Sequence, residues 1–266
     1  MLDNSNHTDI LGLRVAAVDL SSSCRLVEGW VNRREHTYVC VTNVHGVMES
    51  QRNPHLLKAQ NSAGMVVPDG MPLVWLSRIR GQRSVGRVYG PDLMLELCRR
   101  SAGKGYRHFF YGGSDGVAER LASRLMERFP HLRIVGTHCP PFRPLTAAET
   151  AQVRVKINRS RADFVWVGLG CPKQELWMAD HRDHLDAPVL IGVGAAFDFH
   201  SGLKKQAPNW MQQAGLEWLF RLCSEPRRLA GRYLKNNPLF VLQILRQSLG
   251  GPSDATVSTV QTSGDV

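Results

Sequence analysis

Apolar residues along this chain alternate between two spacings. Short β-branched or aromatic runs, which fit buried strands, are separated by stretches with apolar residues at i, i+3 and i+4, which fit amphipathic helices. Leu13–Val18 and Tyr38–Val44 read as strands, with a helix over about Ser22–Arg33 between them. Met65–Val67 reads as a short strand and Pro72–Ile79 as a short helix. Pro91 marks a helix start, followed by Leu93, Leu97 and Cys98 on one face. His108–Tyr111 is a strand that runs into Gly112-Gly113. The next helix carries Val117, Leu121, Leu125 and Phe129 at every fourth position. Thr146-x-x-Glu149 is a capping box that opens another helix. Phe164–Val167 and Val189–Val193 complete the set of strands.

Strands alternating with helices predict an α/β fold: a Rossmann-like, mostly parallel sheet with helices on both faces. Ligands of such sheets bind outside the carboxyl ends of the strands. Four strand ends carry unusual residues: Thr42-Asn43, Pro68-Asp69-Gly70, Gly112-Gly113, and the run from Gly168 to Glu175. They are expected to border one cleft. Residues 1–202 form the α/β domain, residues 203–249 a C-terminal helical appendage, and residues 250–266, which are small, polar and aperiodic, a disordered tail.

The appendage changes the picture most. Arg221, Arg227, Arg228, Arg232 and Lys235 fall within 15 residues, interleaved with Trp218, Phe220, Leu222, Leu229, Tyr233 and Leu234. Pro238–Leu249 then holds seven aliphatic or aromatic residues in twelve. A cationic amphipath beside a folded core suits an anionic ligand, a membrane surface, or both. The apolar end could also be a helix docked on the core, but its basic flanks, Arg232, Lys235 and Arg246, favour an interfacial helix. The chain has 266 residues and a net charge of +10, which favours anionic partners. No apolar stretch approaches the roughly 20 residues that span a bilayer, so membrane contact would be peripheral. The N-terminal residues lack the basic and apolar regions of a signal peptide. The six cysteines show neither CxxC pairs nor zinc spacing, and read as free thiols in a reducing cytoplasm.

Each strand end has a functional and a structural reading. Gly168-Leu169-Gly170-Cys171-Pro172-Lys173-Gln174 follows a strand and opens a helix, where free N–H groups and a positive dipole end receive anions. Lys173 and Gln174 add side-chain donors there; a plain turn explains the glycines equally well. Gly112-Gly113 is a second junction of this kind, and alone reads more readily as a tight turn. Asp69 could serve as a general base or merely stabilise a turn. Thr42 and Asn43 could cap the next helix or touch a ligand. His45 reads as a structural polar residue, and His181 and His184 as part of a solvated charged face. The Rossmann GxGxxG spacing is missing, which disfavours a dinucleotide enzyme such as an epimerase or dehydrogenase. Neither Asp-x-Asp nor HExxH occurs, so a tightly held divalent metal is not indicated.

Taken in order, Val41-Thr42-Asn43, Pro68-Asp69-Gly70-Met71-Pro72, Gly112-Gly113, Gly168-x-Gly170-x-Pro172-Lys173-Gln174-Glu175-x-Trp177, Gly194-Ala195-x-Phe197-Asp198, Ala207-Pro208-x-Trp210-Met211, Gly215-Leu216-Glu217-Trp218 and Glu225-Pro226-x-Arg228 resemble the WecG/TagA/CpsF family, glycosyltransferase family 26. The resemblance implies an inverting glycosyltransferase that moves a sugar from a UDP-sugar to a polyprenyl-pyrophosphate-linked sugar in bacterial cell-surface polysaccharide biosynthesis. Its donor would be UDP-N-acetylmannosamine, the corresponding uronic acid, or UDP-glucose. Asp69 corresponds to the general base and Thr42 to an active-site threonine. Asn43, Gly70, Gly112, Gly113, Gly170, Lys173, Gln174, Arg221, Arg228 and Arg232 would bind substrate. No metal or other cofactor is expected. The appendage would bind an anionic membrane and complete the site, on the cytoplasmic face of the bacterial cytoplasmic membrane. Association into homo-oligomers stays open. The alternative is a nucleic-acid-binding basic protein, which no RRM, KH or helix-turn-helix signature supports.

Overall fold

The computed structural model of the protein describes residues 6–250; the remainder of the expected tail lies outside them. A hairpin comes first: β1 (His7–Ile10) pairs antiparallel with β2 (Leu13–Ala16), with Ile10 opposite Leu13. Its two-residue turn is Leu11-Gly12, with φ of 54° and 79°. The strand expected at Leu13–Val18 is thus shorter, and it belongs to this separate hairpin rather than to the main sheet. The expectation failed because an isolated apolar run does not reveal its pairing partner.

After helix α1 (Leu20–Arg33) come β3 (Thr37–Thr42), α2 (Val44–Arg52), α3 (Pro54–Asn61), β4 (Met65–Pro68), α4 (Met71–Ile79) and α5 (Gly90–Ala102). They are followed by β5 (Arg107–Gly112), α6 (Val117–Arg128), β6 (Arg133–His138), α7 (Ala147–Ser160), β7 (Phe164–Gly168), α8 (Lys173–His181) and β8 (Val189–Gly192). The main sheet has six strands in the order β4-β3-β8-β7-β5-β6, and every pairing is parallel. Local signals agree with the ends of the helices. Asp19 and Ser22 form a capping box on α1, and Thr146 and Glu149 form one on α7.

Both faces of the sheet are covered, and successive strand residues point to opposite sides. Val39, Phe110, Trp166 and Ile191 pack with α1, α5 and α6 on one face. Tyr38, Cys40, Tyr111, Val165 and Leu190 pack with α2, α7 and α8 on the other. A parallel arrangement puts every strand's carboxyl end on the same edge. Thr42, Asp69, Gly112-Gly113, Gly168–Cys171 and the segment after Gly192 therefore converge.

The appendage is helical, as expected: α9 (Ala196–His200) leads into α10 (Asn209–Gln213), α11 (Glu217–Ser224) and α12 (Pro226–Ser248). At 23 residues, α12 is about 34 Å long. Leu229, Asn236 and Phe240 are its buried residues, and Leu239, Phe240 and Ile244 join the core that lies on α2's side of the sheet. Near its end, Gln247 donates to Asp9 and accepts from Arg80, which ties the helix to the N-terminal hairpin. Its outer side leaves Leu234, Val241, Leu242 and Leu245 exposed. Core docking and an apolar outer face are the alternative expectations for Pro238–Leu249, and the helix has both. Among the described residues, no helix is long and apolar enough to cross a membrane.

Candidate active site

A cleft of about 1070 Å³ opens at the carboxyl edge of the sheet and is closed on one side by the appendage. Thr42, Asn43, Asp69, Gly113, Gly170, Lys173, Gln174, Arg221, Arg228 and Arg232 all line it. Residues from six separate segments thus meet at one surface.

Asp69 follows the last residue of β4. Its Oδ1 accepts from the backbone N–H of Gly90 (3.2 Å), and its Oδ2 accepts from Asn43 Nδ2 (3.3 Å). Its own N–H donates to the Thr42 carbonyl, 2.8 Å away. Burial pushes the Asp69 carboxyl up to about 6. The Arg87 guanidinium opposes the shift, and the Glu217 carboxylate reinforces it. Arg87 donates from Nε to the Asp69 carbonyl (2.6 Å), ion-pairs with Glu217, and lies over the Tyr89 ring at 4.1 Å. Since Glu217 is on α11, the appendage reaches the electrostatic environment of Asp69 through one arginine. Sequence reasoning had not singled out Arg87 or Tyr89, and it had used Glu217 only as part of the family pattern. A lone arginine in a chain with 33 basic residues carries no signal of its own.

Asn43 takes the capping role, one of the two open for it, and it also lines the cleft. Its Oδ1 caps α2 by accepting from His45 N (3.0 Å) and Gly46 N (3.4 Å), while its amide nitrogen holds Asp69. Thr42 is buried at the end of β3, and its hydroxyl accepts from Gln60 Nε2 (3.3 Å). Gly70 and Gly112 do not line the cleft. Gly70 precedes α4 and packs on Asn43, while Gly112, at φ 131°, lies so close to the backbone of Gly168 that a Cβ would sit 2.6 Å from it. They shape the ends of the strands that border the cleft.

Gln174 is clamped at both ends. Its Oε1 accepts from Gly170 N (3.2 Å), and its Nε2 donates to Glu175 Oε1 (3.0 Å), a buried carboxylate whose pKa burial raises. One amide hydrogen is left for the cleft. Lys173 is exposed at the start of α8. Along one wall, Tyr111 stacks on Trp177 (4.4 Å) and Trp177 on His181 (4.3 Å). His181 is therefore buried in the wall of the cleft, which corrects its assignment to a solvated face; His184 is exposed, as expected. The loop from Pro140 to Leu145 forms part of the rim.

Three arginines from α11 and α12 complete the cleft. Arg228 donates to Glu225 Oε2 (2.7 Å), whereas Arg221 and Arg232 have no carboxylate partner among the described residues. Burial lowers the pKa of Arg232, as do the neighbouring charges of Arg228 and Arg221. Like charges gathered at an enclosed surface call for an anion. The nucleic-acid-binding alternative is not supported: Arg221, Arg228 and Arg232, three of the clustered basic residues, line this cleft. Among the described residues, no group of three or more His, Cys, Asp or Glu side chains could hold a metal ion.

The site can thus offer a carboxylate of raised pKa to a hydroxyl, and guanidinium groups to a diphosphate. The chain is also similar to known proteins. The chain is 31% identical over 187 residues to a Bacillus subtilis protein, covering 70% of each. It is 29% identical over 217 residues to one from Bacillus spizizenii, covering 82% of each. It is also 27% identical over 248 residues to one from Staphylococcus aureus, covering 91% of this chain and 94% of the relative. All three relatives are named N-acetylglucosaminyldiphosphoundecaprenol N-acetyl-beta-D-mannosaminyltransferase. The family model of the WecG/TagA/CpsF glycosyl transferases matches residues 8–254. The chain belongs to the WecG/TagA/CpsF family of glycosyltransferases.

Proposed function

We propose that this glycosyltransferase moves N-acetylmannosamine from its UDP conjugate to N-acetylglucosamine carried on a polyprenyl diphosphate. The observation that carries this reading is the pairing, within one cleft, of a restrained carboxylate of raised pKa with three convergent arginines. Asp69 takes the proton from the acceptor hydroxyl. The hydroxyl oxygen attacks the anomeric carbon as the bond to the UDP oxygen breaks, and the configuration inverts. A general base with a pKa near the working pH contributes about 10²- to 10⁴-fold. Arg221, Arg228 and Arg232 meet the charge that builds on the departing diphosphate, and no metal is needed for it. Thr42 and the remaining amide hydrogen of Gln174 orient the sugars. The relatives' common activity favours N-acetylmannosamine over its uronic acid or glucose.

An acceptor anchored in a bilayer requires the enzyme to work at its surface. Trp210 on α10 and Trp218 on α11 are exposed, as are Leu234, Val241, Leu242 and Leu245 on α12, with Arg227, Lys235 and Arg246 nearby in sequence. This outer face is the peripheral membrane contact, on the cytoplasmic side, where sugar nucleotides are present.

The test is to incubate the protein, in EDTA, with each of the three UDP-sugars and a synthetic lipid diphosphate bearing N-acetylglucosamine, and to read the products by mass spectrometry. The expected product is lipid-linked disaccharide gained from UDP-N-acetylmannosamine. No product from any donor would overturn the assignment, and product only after addition of Mg²⁺ or Mn²⁺ would overturn its metal-free form.

A further inference from the structure

A chain of polar contacts joins the appendage to the α/β domain within electrostatic reach of Arg221 and Arg232. Glu49 on α2 accepts from Arg52 (2.9 Å). Arg52 also donates from its other terminal nitrogen to Asn236 Oδ1 on α12 (2.7 Å). On its far side the buried Asn236 amide faces His45 Nδ1, with its nitrogen 3.1 Å away.

These contacts leave one arrangement of hydrogens. A guanidinium can only donate, so the atom of Asn236 facing Arg52 is its oxygen. The atom facing His45 is therefore the NH₂ group, which can only donate. His45 Nδ1 must then accept, and the imidazole is the neutral tautomer with its hydrogen on Nε2. Nδ1 lies 3.6 Å from Glu49, beyond hydrogen-bonding distance, and that carboxylate is already paired with Arg52. The ring lines the cleft, and Nε2 has no hydrogen-bond partner among the described residues.

We infer that His45 is a further diphosphate-binding residue, whose Nε2–H donates into the cleft beside Arg221 and Arg232, with Asn236 and Arg52 as positioning residues that fix its tautomer. The inference rests on the transferase reading and adds a specific donor to it. Three guanidiniums already repel one another, and a neutral donor adds a hydrogen bond without a fourth positive charge. The surroundings keep it neutral. Burial lowers the imidazole pKa to about 4, the charges of Arg232, Arg52 and Arg221 push in the same direction, and Glu49 opposes them. The donor is therefore present throughout the neutral range. The diphosphate could be that of the nucleotide or that of the lipid-linked acceptor.

The experiment compares wild type with His45→Gln, which keeps a donor near the Nε2 position, and with His45→Phe and His45→Ala, which do not. UDP affinity is measured by calorimetry, uridine binding by ligand-detected NMR, and acceptor KM in steady-state turnover. Hydrogen bonds to charged groups are worth about 1.5–3 kcal/mol, so losing the donor should weaken diphosphate binding on the order of tenfold or more. If the nucleotide diphosphate is the ligand, His45→Phe and His45→Ala raise the Kd for UDP, leave uridine binding unchanged, and His45→Gln restores most of the affinity. If the acceptor diphosphate is the ligand, acceptor KM rises in the same pattern while the Kd for UDP holds. Unchanged UDP affinity and acceptor KM in the donorless variants would overturn the inference, as would equal loss of uridine and UDP binding or a failure of His45→Gln to recover. A wild-type protein that binds UDP no better than uridine would overturn both the inference and the reading beneath it.

Discussion

Asp69 owes its chemistry to four named neighbours. Gly90 and Asn43 hold its two oxygens, Arg87 favours its charge, and Glu217 opposes it, while burial dominates and raises the pKa to about 6. A base must be ionised to work, so kcat/KM should fall as pH drops through about 6 and level off above it. Glu217→Gln removes the neighbouring negative charge and releases Arg87 from its ion pair. Both changes favour the ionised carboxylate, so the acidic limb of the pH–rate profile should move to lower pH; a limb that stays in place or moves up would contradict this electrostatic account. Asp69, Asn43, Thr42 and Gln174 were legible in the sequence because turns and helix starts mark them as strand-end residues. Arg87, Glu217 and His45 were not. Arg87 meets Glu217 across 130 positions, and His45 meets Asn236 across 191. Such pairs exist only once the chain has folded, and no local pattern announces them.

Among the elements, α12 is the least ordinary. One face contributes Leu229, Asn236 and Phe240 to the interior, one edge turns Arg228 and Arg232 to the cleft, and the outer side displays leucines and valine. Periodicity indicated a cationic amphipath but could not say which apolar residues would be covered, because Phe240 and Val241 differ only in what the fold places against them. The exposed set defines a clean perturbation. Replacing Val241, Leu242 and Leu245 with serine removes apolar surface that the folded protein does not bury, so stability should change little. Binding to anionic vesicles, measured by co-sedimentation, should fall at least about tenfold, since insertion of each such side chain is worth on the order of 1.5–3 kcal/mol when complete. Turnover on a short-chain, water-soluble acceptor should persist. Unchanged vesicle binding would mean that this face is not the membrane contact. The hairpin β1–β2 illustrates the same limit, since its apolar run was legible while its separation from the main sheet depended on pairing.

For the whole molecule, the parallel sheet accounts for most of what could be anticipated. Six strands in parallel bring their carboxyl ends to one edge, and the motifs spread from Thr42 to Gln174 become a single surface. The sheet alone leaves that surface open. The appendage closes it through three separate joints: Glu217 on Arg87, Asn236 between Arg52 and His45, and Gln247 on the hairpin. Its arginines and its contact with Asp69's surroundings therefore arrive together. This architecture centres on one claim, that Asp69 is the base for sugar transfer in a cleft whose donor-binding groups lie elsewhere. The most direct measurement is the single-turnover rate of Asp69→Asn beside its affinity for the UDP-sugar. The account predicts a rate loss of about 10²- to 10⁴-fold with donor affinity close to wild type. Transfer at the wild-type rate in that variant would contradict it.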